Sequence, residues 1–338
     1  MPFRRLFLGL ACLGLLTLSA AAETLLVGNK GDDTVGFIDL SQGDAGALVM
    51  TRPTGPSPHE VAVDPSGSLA AVVAYGDNRR EGRAIDLFRV QTGERLASVS
   101  LAPHSSPHGL VWLPDGRQLV VTSEGSDHVL VVDMIAEEIV QAIETGADGS
   151  HMVAVSADGT RAFTANIDDG SVSVFDLSQG ERLARVQAGP GTEGIALTPN
   201  GSELWVSNRE GDTVMVYDAQ SIGRLATIET GRFPIRVAIS PDGETVIVSN
   251  ARDGTLSVID RQDRTVIETV SLTPTKDTPS VPVTVLFHPD GERLFVSMTS
   301  PGEIAVLDTE TWNQIGTIAA GRGADGLGYS ALSLTPDP

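Results

Sequence analysis

The chain has 338 residues, with 36 glycines, 19 prolines, 4% aromatic residues and a formal charge of −21 from 23 Lys+Arg against 44 Asp+Glu. That balance repels nucleic-acid phosphate and anionic lipid, so neither is expected as a partner. The composition favours many short strands joined by tight turns over long helices, and a repeat fold of this length need not be divided.

Residues 1–22 open with Arg4 and Arg5, continue as an apolar run over 6–18 and end in small residues over 19–22. This is the layout of a secretory signal cut after Ala22, which predicts a periplasmic or secreted product whose residues 23–338 form a single domain. Arg4-Arg5-Leu6-Phe7-Leu8 fits a twin-arginine signal as well as the general pathway. Cys12, the one cysteine, lies inside this leader, so no disulfide is expected. The apolar run is too short to span a bilayer comfortably and no later segment approaches the length, so no membrane insertion is predicted.

Beyond the leader, a unit of about 42 residues repeats, within the range of propeller blades. A second-strand motif closes at Asn29 (LLVGN) and is followed by TVGFID. Short apolar first strands then fall at 61–63, 110–112, 153–155, 195–197, 237–239, 285–287 and 327–329. Six are followed by a tight turn such as Pro114-Asp115-Gly116, Pro241-Asp242-Gly243 or Pro289-Asp290-Gly291, in which proline presets φ and glycine accepts a positive one. Second strands recur as FTAN, LWVSN and VIVSN, third strands as VLVVD, VSVFD, VMVYD, LSVID and IAVLD, and a more polar fourth strand suits an outer edge. The mature N-terminus lacks a first strand and the C-terminus supplies one. The pattern therefore predicts an all-β, seven-bladed β-propeller with four antiparallel strands per blade, its seventh blade closed by both ends of the chain.

The segments VSNREGDTVMVYD and VSNARDGTLSVID, with the PDG turns, resemble the YVTN-type propeller repeat family of bacterial surface and periplasmic proteins, related to the d1-type domain of nitrite reductases. The resemblance spans essentially all of the mature chain and speaks to fold more than to function. The nitrite reductase kinship implies the possibility of a haem, but the sequence carries no CxxCH, no phosphate-cradling loop and no nucleophile elbow.

In a propeller the first strands line the axis, so the residue just before each one faces the channel mouth. Around the ring this position reads His59, His108, His151, Glu193, Ile235, Val283 and Asp325, and holds three of the six histidines. Five adjacent positions thus offer imidazole or carboxylate, which suits a divalent zinc, iron, manganese, nickel or copper ion. The expectation is that His59, His108 and His151 bind the metal, with Glu193 or Asp325 completing the set and the other acting as catalytic base. Ile235 and Val283 form an apolar arc for substrate, and Arg236 either meets an anionic substrate group or pairs with Glu193 or Glu60. Polar residues at a wet channel mouth that hold no ligand are the alternative.

Loops on the same side supply a charged rim: Asp32, Asp33, Arg79, Arg80, Glu124, Asp168, Asp169, Arg209 and Arg252. Insertions over 102–107, containing His104, and over 273–282 read as partial lids or surface loops, while His128 and His288 read as structural. Three functions stay open. The first is a metal-dependent hydrolase acting on a lactone or similar small ester, by analogy with seven-bladed propellers that include lactonases and lyases. The second is a periplasmic zinc carrier or chaperone with a metal-transfer partner protein, and the third a metal-free protein-interaction scaffold. A monomer is expected.

Overall fold

The computed structural model describes residues 23–43 and 45–335, so the leader read over residues 1–22 lies outside the described residues. Twenty-eight strands form seven four-stranded antiparallel sheets, with no helix among the described residues. Six blades are continuous in sequence: Pro58–Ser100, Pro107–Glu144, Ser150–Gln187, Thr192–Glu229, Pro234–Ser271 and Pro282–Ala319. The seventh pairs Ala324–Ser330 with Thr24–Asn29, in the register Thr24↔Ser330 to Asn29↔Ala324, as the odd strand count at the two ends predicts.

Each blade turns both faces of its middle strands toward its neighbours, so those strands are apolar on both sides. Between the first and second blades Val73, Ile85 and Leu87 pack with Leu110, Leu119 and Leu130. Between the fourth and fifth, Trp205 packs with Val237, Val246 and Ile259. Outer strands carry alternating or fully exposed positions, as in Thr265–Ser271. The PDG turns are closed by their aspartates: Asp115 Oδ1 accepts from the backbone N–H of Arg117 at 2.8 Å and Gln118 at 3.0 Å, while Gly116 takes φ 62°.

The axis is packed by alternating small and large residues one position inside the mouth. Gly326 is followed around the ring by Glu60, Gly109 by Met152, and Gly194 by Arg236. A Cβ on Gly326 would stand 2.3 Å from the His59 carbonyl oxygen and 2.6 Å from Glu60 Cα, so glycine is what lets the seventh blade reach the first. Gly326→Ala is therefore expected to cost about 1–3 kcal/mol, read as a fall in denaturation midpoint. An unchanged midpoint would show that this approach is looser than the backbone indicates.

Candidate active site at the channel mouth

All seven ring positions, His59, His108, His151, Glu193, Ile235, Val283 and Asp325, line one cavity of about 230 Å³. Lys30, Tyr75, Arg209 and Arg236 complete its wall. A larger hollow of about 570 Å³ lies on the outer edge of the seventh blade, against Val49, Met50 and Leu334, and holds no histidine.

The three imidazoles gather in blade order. Ring centroids are 5.0 Å apart for His59 and His108 and 3.6 Å for His108 and His151, the latter pair inclined by 33°. Tyr75 packs on His59 at 4.3 Å. His59 Nδ1 lies 2.9 Å from the Ser57 carbonyl, which only accepts, so Nδ1 carries the proton and Nε2 keeps its lone pair. His151 Nδ1 meets Glu124 Oε2 at 2.6 Å, and its Nε2 stands 3.6 Å from Glu193 Oε1. The His108 ring makes no hydrogen bond among the described residues, and its Nδ1 is buried without a partner.

These surroundings drive the imidazoles apart electrostatically. Burial lowers the pKa of His59, only partly opposed by Asp325. Burial, then the neighbouring His151 and His59, holds His108 well below the usual histidine range. Burial would lower His151 too, but its hydrogen bond to Glu124 and the nearby Glu193 carboxylate outweigh that and raise it. The cavity thus pushes His151 toward its protonated form and His59 and His108 toward their neutral forms.

The carboxylates are engaged by resident cations. Asp325 Oδ2 accepts from Lys30 Nζ at 2.9 Å, and Glu193 Oε2 from Arg209 Nη1 at 3.0 Å. Arg236 bridges Glu60 at 2.5 Å and Glu193 at 3.4 Å, which favours the pairing role over a free anion site. Burial would raise Glu193, yet His151, Arg236 and Arg209 hold it down at about 2. A carboxylate this acidic is a weak base, which argues against the catalytic role expected for Glu193. Asp325, tied to Lys30, keeps one buried oxygen without a partner.

The carboxyl groups of Glu60, Glu124, Glu193 and Asp325 thus lie against Arg236, His151, Arg209 and Lys30. Burial raises the pKa of Glu60 against the opposing pull of Arg236. A divalent ion would enter beside two guanidinium groups and an ammonium group. Among the described residues no three His, Cys, Asp or Glu side chains are gathered as a metal-holding group. The ligand set expected from the sequence shares one cavity, with its carboxylates paired to resident cations.

Sequence reasoning placed Glu124 and Arg209 on the rim and missed Lys30 and Tyr75. All four occupy one repeat position: the residue after the second-strand partner of the first strand's opening residue. Around the ring it reads Lys30, Tyr75, Glu124, Ile167, Arg209, Ala251 and Thr299. The polar members stand beside polar ring residues. Ala251 instead joins Ile235, Val283, Phe233 and Val281 in an apolar cluster that extends the predicted arc. Arg252 and Arg209 lie over the Phe233 ring at 4.1 and 5.2 Å.

Other rim charges pair among themselves, as in Arg80 with Asp33 at 2.6 Å and Arg322 with Asp32 at 2.6 Å. The insertion over 273–282 is pinned outward: the Thr275 backbone N–H donates to Glu303 Oε2 at 2.9 Å, and Thr273 pairs with Gln314 on the outer strand of the sixth blade. These bonds tie it to the neighbouring blade and give no sign of closure over the mouth. His288 bonds Glu23 at 3.0 Å and packs on Tyr329, a structural role at the blade closure.

The family described as Lactonase, 7-bladed beta-propeller matches residues 16–289. No curated protein matches the chain. Among solved structures, hydrazine synthase from Kuenenia stuttgartiensis is similar at 17% identity and a TM-score of 0.71, covering 81% of this chain and 90% of that one. A functionally unknown protein from Desulfotomaculum acetoxidans is similar at 17% identity and a TM-score of 0.75, covering 93% of this chain and 100% of that one. At this identity the two structures speak for the propeller alone.

Proposed function

Because the chain belongs to the seven-bladed β-propeller lactonase family, we propose that its channel mouth hydrolyses a small lactone with acid and base groups supplied by its own side chains. The observation that carries this reading is the opposite drive on two imidazoles of one cavity, downward at His59 and upward at His151. Two titratable groups pushed apart by their environments are the arrangement that assigns a base and an acid. His59, whose Nε2 keeps its lone pair, takes a proton from water as the water oxygen bonds to the lactone carbonyl carbon. The ring C–O bond then breaks, and the leaving oxygen takes the Nε2 proton of His151. Lys30 and Arg209, both partly exposed at the cavity wall, offer N–H donors to the carbonyl oxygen and to the product carboxylate. A cavity of about 230 Å³ suits a compact cyclic ester; drug-sized ligands occupy roughly 300–1,000 Å³.

The test is a panel of unsubstituted and substituted γ- and δ-lactones with the untagged protein, followed by product hydroxy acid. Turnover that survives a strong chelator and falls about 10²–10⁴-fold in His59→Gln supports the reading. Loss of turnover on chelation, restored by a divalent metal, replaces it with the metal-dependent hydrolase anticipated from the sequence. Stoichiometric metal in the channel without turnover favours the carrier, and neither favours the scaffold.

A further inference from the structure

The insertion over 102–107 does something other than cover the channel: it brings His104 beside His128, the first residue of the strand His128–Asp133. Their ring centroids are 4.7 Å apart and their planes inclined by 55°. Both are half-buried, at the same end of the propeller as the mouth but outside its cavity.

Hydrogen bonding fixes the tautomer of each ring without appeal to titration. His128 Nδ1 lies against the Ser126 carbonyl oxygen, which only accepts, so the proton is on Nδ1 and Nε2 keeps its lone pair. His104 Nδ1 lies 2.8 Å from the Ser126 hydroxyl, a contact in which either atom is able to donate. The next bonds decide. Ser123 Oγ gives its proton to the Ser105 carbonyl at 2.6 Å, so in its 2.8 Å contact with Ser126 Oγ it accepts. The single proton of Ser126 is spent there, and Ser126 must accept from His104 Nδ1–H. His104 therefore also keeps its lone pair on Nε2. Among the described residues neither Nε2 has a hydrogen-bond partner.

Two imidazoles with their Nδ1 atoms anchored to oxygen and their Nε2 atoms unengaged are the usual preparation of histidine for metal ligation. We infer that His104 and His128 form a two-imidazole site for one borderline divalent cation, Zn²⁺, Cu²⁺ or Ni²⁺, with water completing the coordination. Imidazole selects these ions over Mg²⁺ and Ca²⁺, and the chain's net charge of −21 favours cation approach. The site is independent of the lactone reading: it lacks the guanidinium groups that balance the mouth and shares no residue with it.

The experiment is titration of the untagged protein with Zn²⁺ by calorimetry and with Cu²⁺ by electron paramagnetic resonance. One ion per chain is expected, with nitrogen splitting from two imidazoles. His104→Ala and His128→Ala should each weaken binding at least about 100-fold, and Ser126→Ala, which removes only the His104 anchor, about 10-fold. In His104→Ala the copper spectrum should report one imidazole, a readout that a merely destabilised fold does not give. The double variant His59→Ala/His108→Ala should leave binding unchanged. Absence of stoichiometric binding, wild-type affinity in either single variant, or loss of binding in the channel variant would overturn the assignment.

Discussion

His151→Gln is expected to lower kcat for lactone hydrolysis by about 10²–10⁴-fold with little change in KM, because it removes the acid that protonates the leaving oxygen and spares the cavity wall. The group depends on its neighbours. Glu124 binds Nδ1 at 2.6 Å while Glu193 faces Nε2, and together they outweigh the burial that would otherwise deprotonate the ring. Glu124→Gln should therefore keep measurable activity but move the alkaline fall of the pH–rate profile to lower pH, since His151 then loses its proton sooner. Tyr75, which donates to Glu124 at 2.9 Å, is a positioning residue in the same chain of contacts, and Tyr75→Phe should produce a smaller shift in the same direction. Activity of His151→Gln within a few fold of wild type would remove His151 from the reaction.

The largest effect on stability is expected at Arg236. It is 6% exposed and joins Glu60, a residue 176 positions away, to Glu193 across the axis. Arg236→Met leaves two buried carboxylates without their shared cation, and breaking a buried pair in this way costs about 3–5 kcal/mol. The double variant Arg236→Met/Glu60→Gln should recover part of that loss, as it removes one of the stranded charges. Denaturant midpoints measure both. The pH dependence has a definite sign. In the wild type Glu193 is held at about 2, so its contribution is present above the ordinary value of 4.5 and is lost as pH falls toward about 2. In Arg236→Met, Glu60 loses its partner while Glu193 keeps Arg209 and His151, so protonation relieves chiefly Glu60 and the gap to wild type should narrow as the solution is acidified. Equal stability of Arg236→Met and wild type at neutral pH would show that the axis does not depend on this pair.

The architecture was legible in the sequence because a repeat writes the same structural demand seven times. The apolar first strands, the PDG turns and the odd strand count at the ends predict both blade number and closure. The ring was legible for the same reason: one position before each first strand faces the mouth, and all seven residues so found line the cavity. The compensating charges were not. Lys30 and Tyr75 look ordinary in sequence, and their position becomes informative only when the residue after each second strand is read around the ring as a set. Spacing shows that histidines and carboxylates are neighbours but not that Arg209 and Arg236 have already neutralised Glu193. For that reason the histidine cluster reads as a metal site from sequence, whereas its pairing with Lys30, Arg209 and Arg236 becomes visible only in the structure. His128 reads as structural from its place at a strand start, and its neighbour His104 arrives on an insertion outside the repeat pattern.

The most direct measurement is the pH dependence of kcat/KM for a δ-lactone on chelator-treated protein, in wild type and His59→Gln. A bell is expected, with its acid limb below the ordinary histidine value of 6.5, where His59 gains a proton, and its alkaline limb above 6.5, where His151 loses one. The acid limb should vanish in His59→Gln along with most of the rate. A chelated wild type that is inactive until a divalent ion is returned, or an acid limb unchanged in His59→Gln, would contradict hydrolysis by this pair of imidazoles.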